Sequence, residues 1–230
     1  MLPLAISRSY LTEPPGHHRL WVNGIHHGDI SLNNLMYGTS ASGKPEGVLN
    51  DYDLASWDKF PTTNSDRTGT VPFMALDMLN DGLEKRIPRL YRHDAESFVW
   101  VLTYITLVTV QYKGPFIKTS RPQSLSPWFA ENREAHLSSK QGLPGYYGRR
   151  FPVTDSHKWH LTTTGRLIEY WVQFDIASYD NPDEQEIDDP KGALESLIRG
   201  VEAAFGGNVA DEFKKLKVKL RKVTGTPEAE

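Results

Sequence analysis

Residues 27–34 read HGDISLNN, and this stretch decides how the rest of the chain is interpreted. It contains Asp29 and, five residues later, Asn34. A second polar cluster, DYDLA at 51–55, follows a short apolar run, and a third, TGTVPFMALD at 68–77, follows a polar stretch. Each cluster alone is common in proteins. Their order and spacing are less common, and together they predict one site assembled from three places in the chain.

The composition excludes several classes of protein. The chain has 230 residues, no cysteine and a formal net charge of -3, with a pI of about 6.2. Without cysteine there is neither a disulfide scaffold nor a thiolate zinc site. Near-balanced charge predicts no nucleic-acid partner and no membrane partner for the chain as a whole.

No targeting or membrane-spanning segment is predicted. The apolar patch at the N-terminus is short and precedes the first positive charge, which reverses the order of a secretion signal. The most apolar run, 98–110, is shorter than the roughly 18 residues that a spanning helix needs, and it contains three threonines. We therefore predict a buried core helix in an intracellular protein, cytoplasmic or nuclear.

The patterning predicts mainly helices with a few short strands, a mainly α (α+β overall) fold. Extended pieces at 25–30, 35–37 and 47–51 surround the turn-rich stretch 38–47, which favours a hairpin. A breaker at 12–18 and a long loop at 55–72 interrupt the pattern. We expect helices at 18–24, 75–79, 94–112, 161–178, 192–205 and 211–223, with only short helices and loops over 113–165.

The order H-x-D-x-x-x-x-N, then a hairpin, then D-x-x after a strand resembles the catalytic loop and metal-binding Asp of kinases. The residue types suit phosphoryl transfer, which depends on positioning and charge neutralisation. Asp29 is the predicted group that orients an attacking hydroxyl and accepts its proton. Mg2+ prefers oxygen ligands, and Asn34 and Asp51 supply them. Asp53 is either an additional magnesium ligand or a capping residue.

HGDISLNN and DYDLA resemble the protein-kinase-like superfamily, and the third cluster indicates the branch. RTGTVPFMALDML (67–79) resembles the end of a protein-kinase activation segment, with Ala75-Leu76-Asp77 at the place of Ala-Pro-Glu and Thr70 at that of the substrate-site Thr. RHDAESFVWVLTYI resembles the helix that follows, with Asp94 supporting the catalytic loop. The whole set is most similar to the fungal-type protein kinases, and the resemblance is strongest over 18–112.

The resemblance implies a protein-kinase-like C-lobe over residues 1–225, with short β-hairpins around the catalytic loop and a tail at 226–230. It implies ATP and Mg2+ as cofactors, a protein substrate, and transfer of the γ-phosphate to Ser or Thr hydroxyls. The catalytic residues would be Asp29, Ser31 and Thr70, with Asn34 and Asp51 binding the cofactor.

Three residues depart from the usual protein-kinase pattern. Gly28 stands where many kinases have the Arg that binds a phosphorylated activation loop, so activity should not depend on that pair. Ser31 replaces the Lys that contacts the transferred phosphate, and a hydroxyl does not neutralise charge. Asp53 stands where protein kinases have Gly, which removes backbone freedom at the metal motif.

Neither a GxGxxG loop nor a V-A-x-K strand occurs in the sequence, and only 28 residues precede Asp29. The expectation is therefore a C-lobe without an N-lobe, truncated and weak or inactive on its own. One alternative is a non-catalytic pseudokinase or interaction module, whose apolar N-lobe-facing surface would meet a partner. Another is a small-molecule phosphotransferase of the aminoglycoside or choline type, favoured by HGD and DYD and opposed by residues 67–79.

Other polar and aromatic features have simpler explanations. The histidine pairs at 17–18 and 26–27 lack the spacing of a zinc site, and His27 is predicted to pack beneath the catalytic loop. The basic run 214–222 is interpreted as a solvated helix face. Four tryptophans are predicted to be packing residues: Trp57, Trp128, Trp159 and Trp171.

Overall fold

The computed structural model describes residues 14–39, 41, 43, 45–57, 69–80, 89–109, 126, 128–129, 132–146, 189–195 and 199. The helices are α1 (Pro14–Trp21), α2 (Leu76–Leu79), α3 (Tyr91–Thr109) and α4 (Arg133–Tyr146), and a 3₁₀-helix covers Val71–Phe73. The strands are β1 (Ile25–His26), β2 (Leu35–Thr39), β3 (Pro45–Leu49) and β4 (Ser56–Trp57). This part of the chain is helix-rich with a few short antiparallel strands, as the patterning predicts.

Helix α1 begins inside the stretch that the sequence predicts to be a breaker. Its first two residues are Pro14 and Pro15. Proline is compatible with the first turn of a helix because the N–H groups there have no partner within the helix. The helix therefore starts four residues earlier than predicted and places His17 and His18 in the interior.

The predicted hairpin is confirmed. Strands β2 and β3 pair antiparallel with Leu35 opposite Leu49 and Met36 opposite Val48. The leucines are buried, whereas Met36 and Val48 are 53% and 49% exposed. Since neighbouring side chains of a strand point to opposite faces, the hairpin has one apolar face in the core and a second apolar face outside it.

Strands β1 and β4 form a second antiparallel pair, with Ile25 opposite Trp57 and His26 opposite Ser56. This pairing lies partly in the stretch predicted as loop, because two-residue strands leave no alternating pattern to read. It places the residues that follow His26 beside the end of the segment that begins at Asp51. Trp57, predicted to be a packing residue, is 43% exposed.

Helix α3 is the centre of the main core. The predicted buried helix is confirmed, and it begins at Tyr91, slightly before the predicted start. Every residue from Tyr91 to Thr103 is buried, and helix α1 and the 3₁₀-helix pack against it. Its apolar side chains join those of α1 and the hairpin in one cluster. A helix buried on all sides holds its polar residues in fixed positions, and several of them face the site described below.

Helix α4 has 14 residues, whereas the sequence predicts only short helices and loops there. Two of the positions that it buries carry polar residues, His136 and Lys140, alongside Leu143. A search for apolar periodicity does not detect a buried face of this kind. The helix packs against α2 and the 3₁₀-helix, and Trp128 is fully buried near it, as predicted.

Residues 190–195 are helical, which agrees with part of the helix predicted at 192–205. The helices predicted at 161–178 and 211–223, the basic run 214–222, Trp159 and Trp171 lie outside the described residues. Within the part that the structure describes, no helix has both the length and the apolar character needed to cross a membrane.

Candidate active site

The Asp29 carboxylate is held by residues from two of the three sequence clusters. Its Oδ1 accepts hydrogen bonds from the Thr70 backbone N–H at 2.6 Å and from Thr70 Oγ1 at 2.7 Å. Its Oδ2 accepts one from Asn34 Nδ2 at 3.1 Å, and the same amide also donates to the Asp29 carbonyl at 2.9 Å. The structure thus brings together Asp29, Asn34 and Thr70, as the sequence predicts.

His27 supports the loop from below, again as predicted. It is 1% exposed. Its Nδ1 accepts a hydrogen bond from the Asp29 N–H at 3.2 Å, and its Nε2 lies 2.9 Å from the Asn50 carbonyl oxygen. These partners require a neutral ring with its proton on Nε2. Burial lowers the pKa of His27, although the hydrogen bond to Asn50 opposes the shift.

The stability of the fold should therefore fall in mild acid. Burial also lowers the pKa of His18 and His93. As the pH falls below the ordinary histidine value of 6.5, the unfolded chain binds protons that the folded chain does not, so stability decreases. We expect a lower urea midpoint at pH 5.5 than at pH 7.5 for the wild type.

The matched variant is His27→Gln, whose amide keeps one donor and one acceptor but does not titrate. It should lose less stability over the same pH range, by up to about 1.4 kcal/mol per pH unit for one proton. An equal pH dependence in the two proteins would contradict this assignment of the His27 proton.

Asp94 connects the loop at residues 27–34, which resembles a kinase catalytic loop, to helix α3. It is completely buried. Its Oδ2 accepts hydrogen bonds from His17 Nε2 at 2.9 Å and from the Gly28 N–H at 3.3 Å, and Arg89 Nε lies 3.3 Å from its Oδ1. Burial alone would raise its pKa, but the Arg89 charge, the His17 hydrogen bond and the Gly28 N–H together hold the pKa well below the usual range. The carboxylate is therefore charged and fixes the backbone next to Asp29.

Gly28 and Gly69 lie against each other beside Asp29. A Cβ on Gly69 would be 2.9 Å from the Gly28 carbonyl oxygen, and a Cβ on Gly28 would be 2.9 Å from the Arg89 guanidinium. Both residues have positive φ, +131° and +77°. The absence of side chains lets residue 69 approach the loop closely enough for Thr70 to contact Asp29.

The predicted metal ligands are adjacent but differ in environment. The Asn50 N–H donates to the Asn34 carbonyl at 2.8 Å, which places Asp51 next to the Asn34 backbone. Asp51 is exposed and has a φ of +64°. Because Asn34 Nδ2 donates to Asp29, the Oδ1 of Asn34 is the amide atom that would bind a cation. One amide oxygen and one exposed carboxylate fit Mg²⁺, which commonly binds one or two carboxylates together with phosphate.

The positions of two other predicted site residues, Asp53 and Ser31, bear less directly on their predicted roles. Asp53 is exposed, in a turn closed by a hydrogen bond from the Ala55 N–H to the Tyr52 carbonyl. Ser31 is 1% exposed, so contact between its hydroxyl and a phosphate would require the loop around it to move. Among the described residues, no group of three or more His, Asp or Glu side chains is arranged to hold a metal ion.

The segment that carries Thr70 is anchored at its far end by buried charges. Asp77 forms an ion pair with Arg92, and His93 Nε2 lies 3.5 Å from the same carboxylate. Glu96 Oε1 accepts hydrogen bonds from the Leu76 N–H at 2.8 Å and from Trp100 Nε1 at 2.7 Å. The sequence places Asp77 at the position of the Glu in Ala-Pro-Glu but does not indicate these partners.

The supporting residues that sequence reasoning missed are His17, Arg89, Glu96 and Lys140. Glu96 carries a usable signal, because a carboxylate beside the apolar run that begins at Phe98 indicates a buried polar partner. Lys140 carries none, since lysine in an amphipathic helix ordinarily lies in water.

The site combines a carboxylate held by an Asn and a Thr, a second aspartate directly after a hairpin, and a segment anchored on a buried helix. This order of residues is that of the catalytic loop, metal-binding Asp and activation segment in protein kinases. Residues 15–106 match the family model described as fungal protein kinase. The resemblance predicted from the sequence is thereby confirmed over the matched segment. A search of curated proteins found no match.

Proposed function

We propose that the chain transfers the γ-phosphate of ATP to a Ser or Thr hydroxyl of a protein, with Asp29 orienting the hydroxyl and accepting its proton. The observation that carries this proposal is the double hydrogen bond from Thr70 to Asp29 Oδ1. It joins the catalytic loop to the segment resembling the activation segment, and that segment is the feature that favours a protein substrate.

The geometry indicates which oxygen would act. An ionised carboxylate offers about four acceptor positions. Thr70 uses two on Oδ1 and Asn34 uses one on Oδ2. The remaining position on Oδ2 is left for the acceptor hydroxyl. The three donors also keep the carboxylate in one orientation, which is the main protein contribution in this chemistry.

Asn34 Oδ1 and Asp51 would hold Mg²⁺, with Asp53 as a candidate for an additional ligand. The ion would neutralise charge on the phosphates. The hydrogen bond from the Asn50 N–H to the Asn34 carbonyl supports this assignment, because it holds the two ligand-bearing segments together.

The test is a phosphate-transfer assay with Mg-ATP and casein as a generic protein acceptor. Asp29→Asn keeps the size of the side chain but removes the proton acceptor, and we expect a rate lower by about 10²–10⁴-fold, the usual contribution of a general base. Glu195→Gln is the control, since this glutamate is partly exposed on a separate helix. Equal rates for the wild type and Asp29→Asn would refute the proposed activity of this chain.

A second candidate, a non-catalytic interaction module, is favoured by one observation. The outward face of the hairpin and the residues after it expose large apolar side chains, which are Met36, Val48, Tyr52, Leu54 and Trp57. Exposed apolar groups that cluster often mark a protein contact. Calorimetry with Mg-ATP separates the two functions, because micromolar binding would contradict the interaction module.

The small-molecule phosphotransferase is the weakest of the three candidates. The contact between Thr70 and Asp29 supports a role at the site for the segment 69–77. This segment is the feature that opposes a small-molecule acceptor. Offering choline and an aminoglycoside in the same assay tests it. Faster transfer to either compound than to casein would support this alternative over the protein kinase.

A further inference from the structure

Two hydrogen bonds from neighbouring helices hold the segment from Thr70 to Asp77, one on each side of Ala75. At one position Lys140 Nζ, from α4, donates a hydrogen bond to the Met74 carbonyl. Two residues later, the Leu76 N–H donates to Glu96 of α3 at 2.8 Å. Two helices distant in sequence therefore each hold one backbone polar group of the same stretch, on either side of Ala75.

Lys140 lies in an environment that is costly for an amine. It is fully buried, and its Nζ is 4.7 Å from the ring centroid of Trp100 and 5.8 Å from that of Trp128. Burial lowers the pKa of Lys140 to about 7, against the attraction of Glu96. Burial raises the pKa of Glu96, although the hydrogen bond from Trp100 and the Lys140 charge oppose that shift. Replacing both Lys140 and Glu96 by neutral residues of similar size would avoid this cost, whereas replacing Lys140 alone would leave the Glu96 charge without its partner.

A role as the counter-charge of Glu96 does not by itself explain the direction in which the Lys140 amine points. Glu96 Oε1 accepts hydrogen bonds from Leu76 and Trp100, and its Oε2 is buried without a hydrogen-bond partner among the described residues. Lys140 instead donates to a backbone carbonyl of the segment. The amine thus satisfies a buried acceptor that an apolar residue would leave without this partner, and it attaches α4 to the stretch that leads back to Thr70.

We infer that Lys140 is a positioning residue, which holds residues 70–77 against α3 and α4 so that Thr70 stays on Asp29 and the segment presents a fixed surface to the protein acceptor. The inference rests on the proposed function for the acceptor, but the positioning of Thr70 is measurable without any activity. A purely structural lysine would act only as the counter-charge of Glu96.

The experiment compares Lys140→Met with the double variant Glu96→Gln/Lys140→Met. Methionine keeps the length of the side chain, and glutamine keeps an acceptor for Leu76 and Trp100. The single variant should have a lower Tm because Glu96 loses its counter-charge, and the double variant should recover at least half of that loss. Lys191→Met, at an exposed lysine, is the control.

The deciding readout is hydrogen exchange of the Thr70 amide, which donates to Asp29 Oδ1. We expect exchange at least ten-fold faster in both the single and the double variant, with amides in the middle of α3 unchanged in the double variant. Recovery of the wild-type exchange rate in the double variant would overturn the inference, because Lys140 would then be only a counter-charge.

Kinetics provide the second readout. In the double variant the KM for casein should rise about five-fold while the KM for ATP stays constant, and an unchanged KM for casein would overturn the inference. If the Asp29 assay detects no transfer, the proposed function fails, and the Thr70 exchange rate alone then decides whether Lys140 positions the segment.

Discussion

Replacing Asp94 by alanine is expected to lower the free energy of unfolding by about 3–5 kcal/mol, the usual cost of removing one partner of a buried ion pair. The change leaves the largely buried Arg89 without this carboxylate, and it removes the acceptor of His17 and of the Gly28 N–H. Because Gly28 precedes Asp29, the catalytic loop should lose its order together with stability. Urea unfolding at pH 7 measures the stability change.

Two further variants separate charge from hydrogen bonding. Asp94→Asn retains an acceptor but not the charge, so we expect a smaller loss of about 1.5–3 kcal/mol. Asp53→Asn changes an exposed aspartate and should stay within about 0.5 kcal/mol of the wild type. A wild-type urea midpoint for Asp94→Ala would show that the carboxylate does not support the loop.

The same residue makes a prediction about acid unfolding. The pKa of Asp94 in the folded chain is below its ordinary value of 3.8. The stability that it contributes is therefore present above that value and is lost as the pH falls below it. Between pH 5 and pH 2 the wild type should lose more stability than Asp94→Asn, and equal losses would contradict the assignment.

Replacing Gly69 by alanine is expected to have the largest effect in a series of four glycine substitutions, about 2–4 kcal/mol. Gly69 has a φ of +131°, and its added Cβ would be 2.9 Å from the Gly28 carbonyl oxygen. A backbone atom has little freedom to move away. The variant must therefore separate the 69–70 segment from the catalytic loop, which weakens the contact between Thr70 and Asp29.

The other three glycines separate the contributions to this effect. Gly38 has no neighbour within 4 Å of an added Cβ, and Gly43 adds a φ of +75° in equally open space. Gly28 combines a φ of +77° with a neighbour that is the flexible end of Arg89. The expected cost rises from Gly38 through Gly43 and Gly28 to Gly69, as measured by urea unfolding. An equal cost at Gly43 and Gly69 would mean that the close approach to Gly28 contributes nothing.

The parts of the fold that the sequence predicts well are those with a strong local pattern. Helix α3 is apolar over a long run, and the hairpin consists of short apolar strands on either side of a turn-rich stretch. The start of α1 and the pairing of β1 with β4 were missed. Two prolines at a helix start look like a breaker, and a strand of two residues has no detectable period.

The residues of the candidate site likewise divide into those that the sequence predicts and those that it does not. Asp29, Asn34 and Thr70 were predicted from the resemblance to protein kinases, in which phosphoryl transfer restricts the residue types and their order. Asp51 and Asp53 keep their predicted roles as proposals. Among the residues that hold this site, His27 and Asp94 were predicted, whereas His17 and Lys140 were not, since a buried histidine or lysine is indistinguishable in sequence from a solvated one.

The sequence by itself determined the resemblance to fungal protein kinases, the order of the three polar clusters and the buried helix that follows them. Only the tertiary structure decided how the clusters meet. Lys140 and Met74 are 66 residues apart, and Asp94 and Gly28 are equally distant along the chain. Contacts of this kind depend on how helices pack and on which polar groups need partners once water is excluded. They therefore arise from the folded arrangement, and the sequence indicates the support of the loop by Asp94 only through the resemblance to protein kinases.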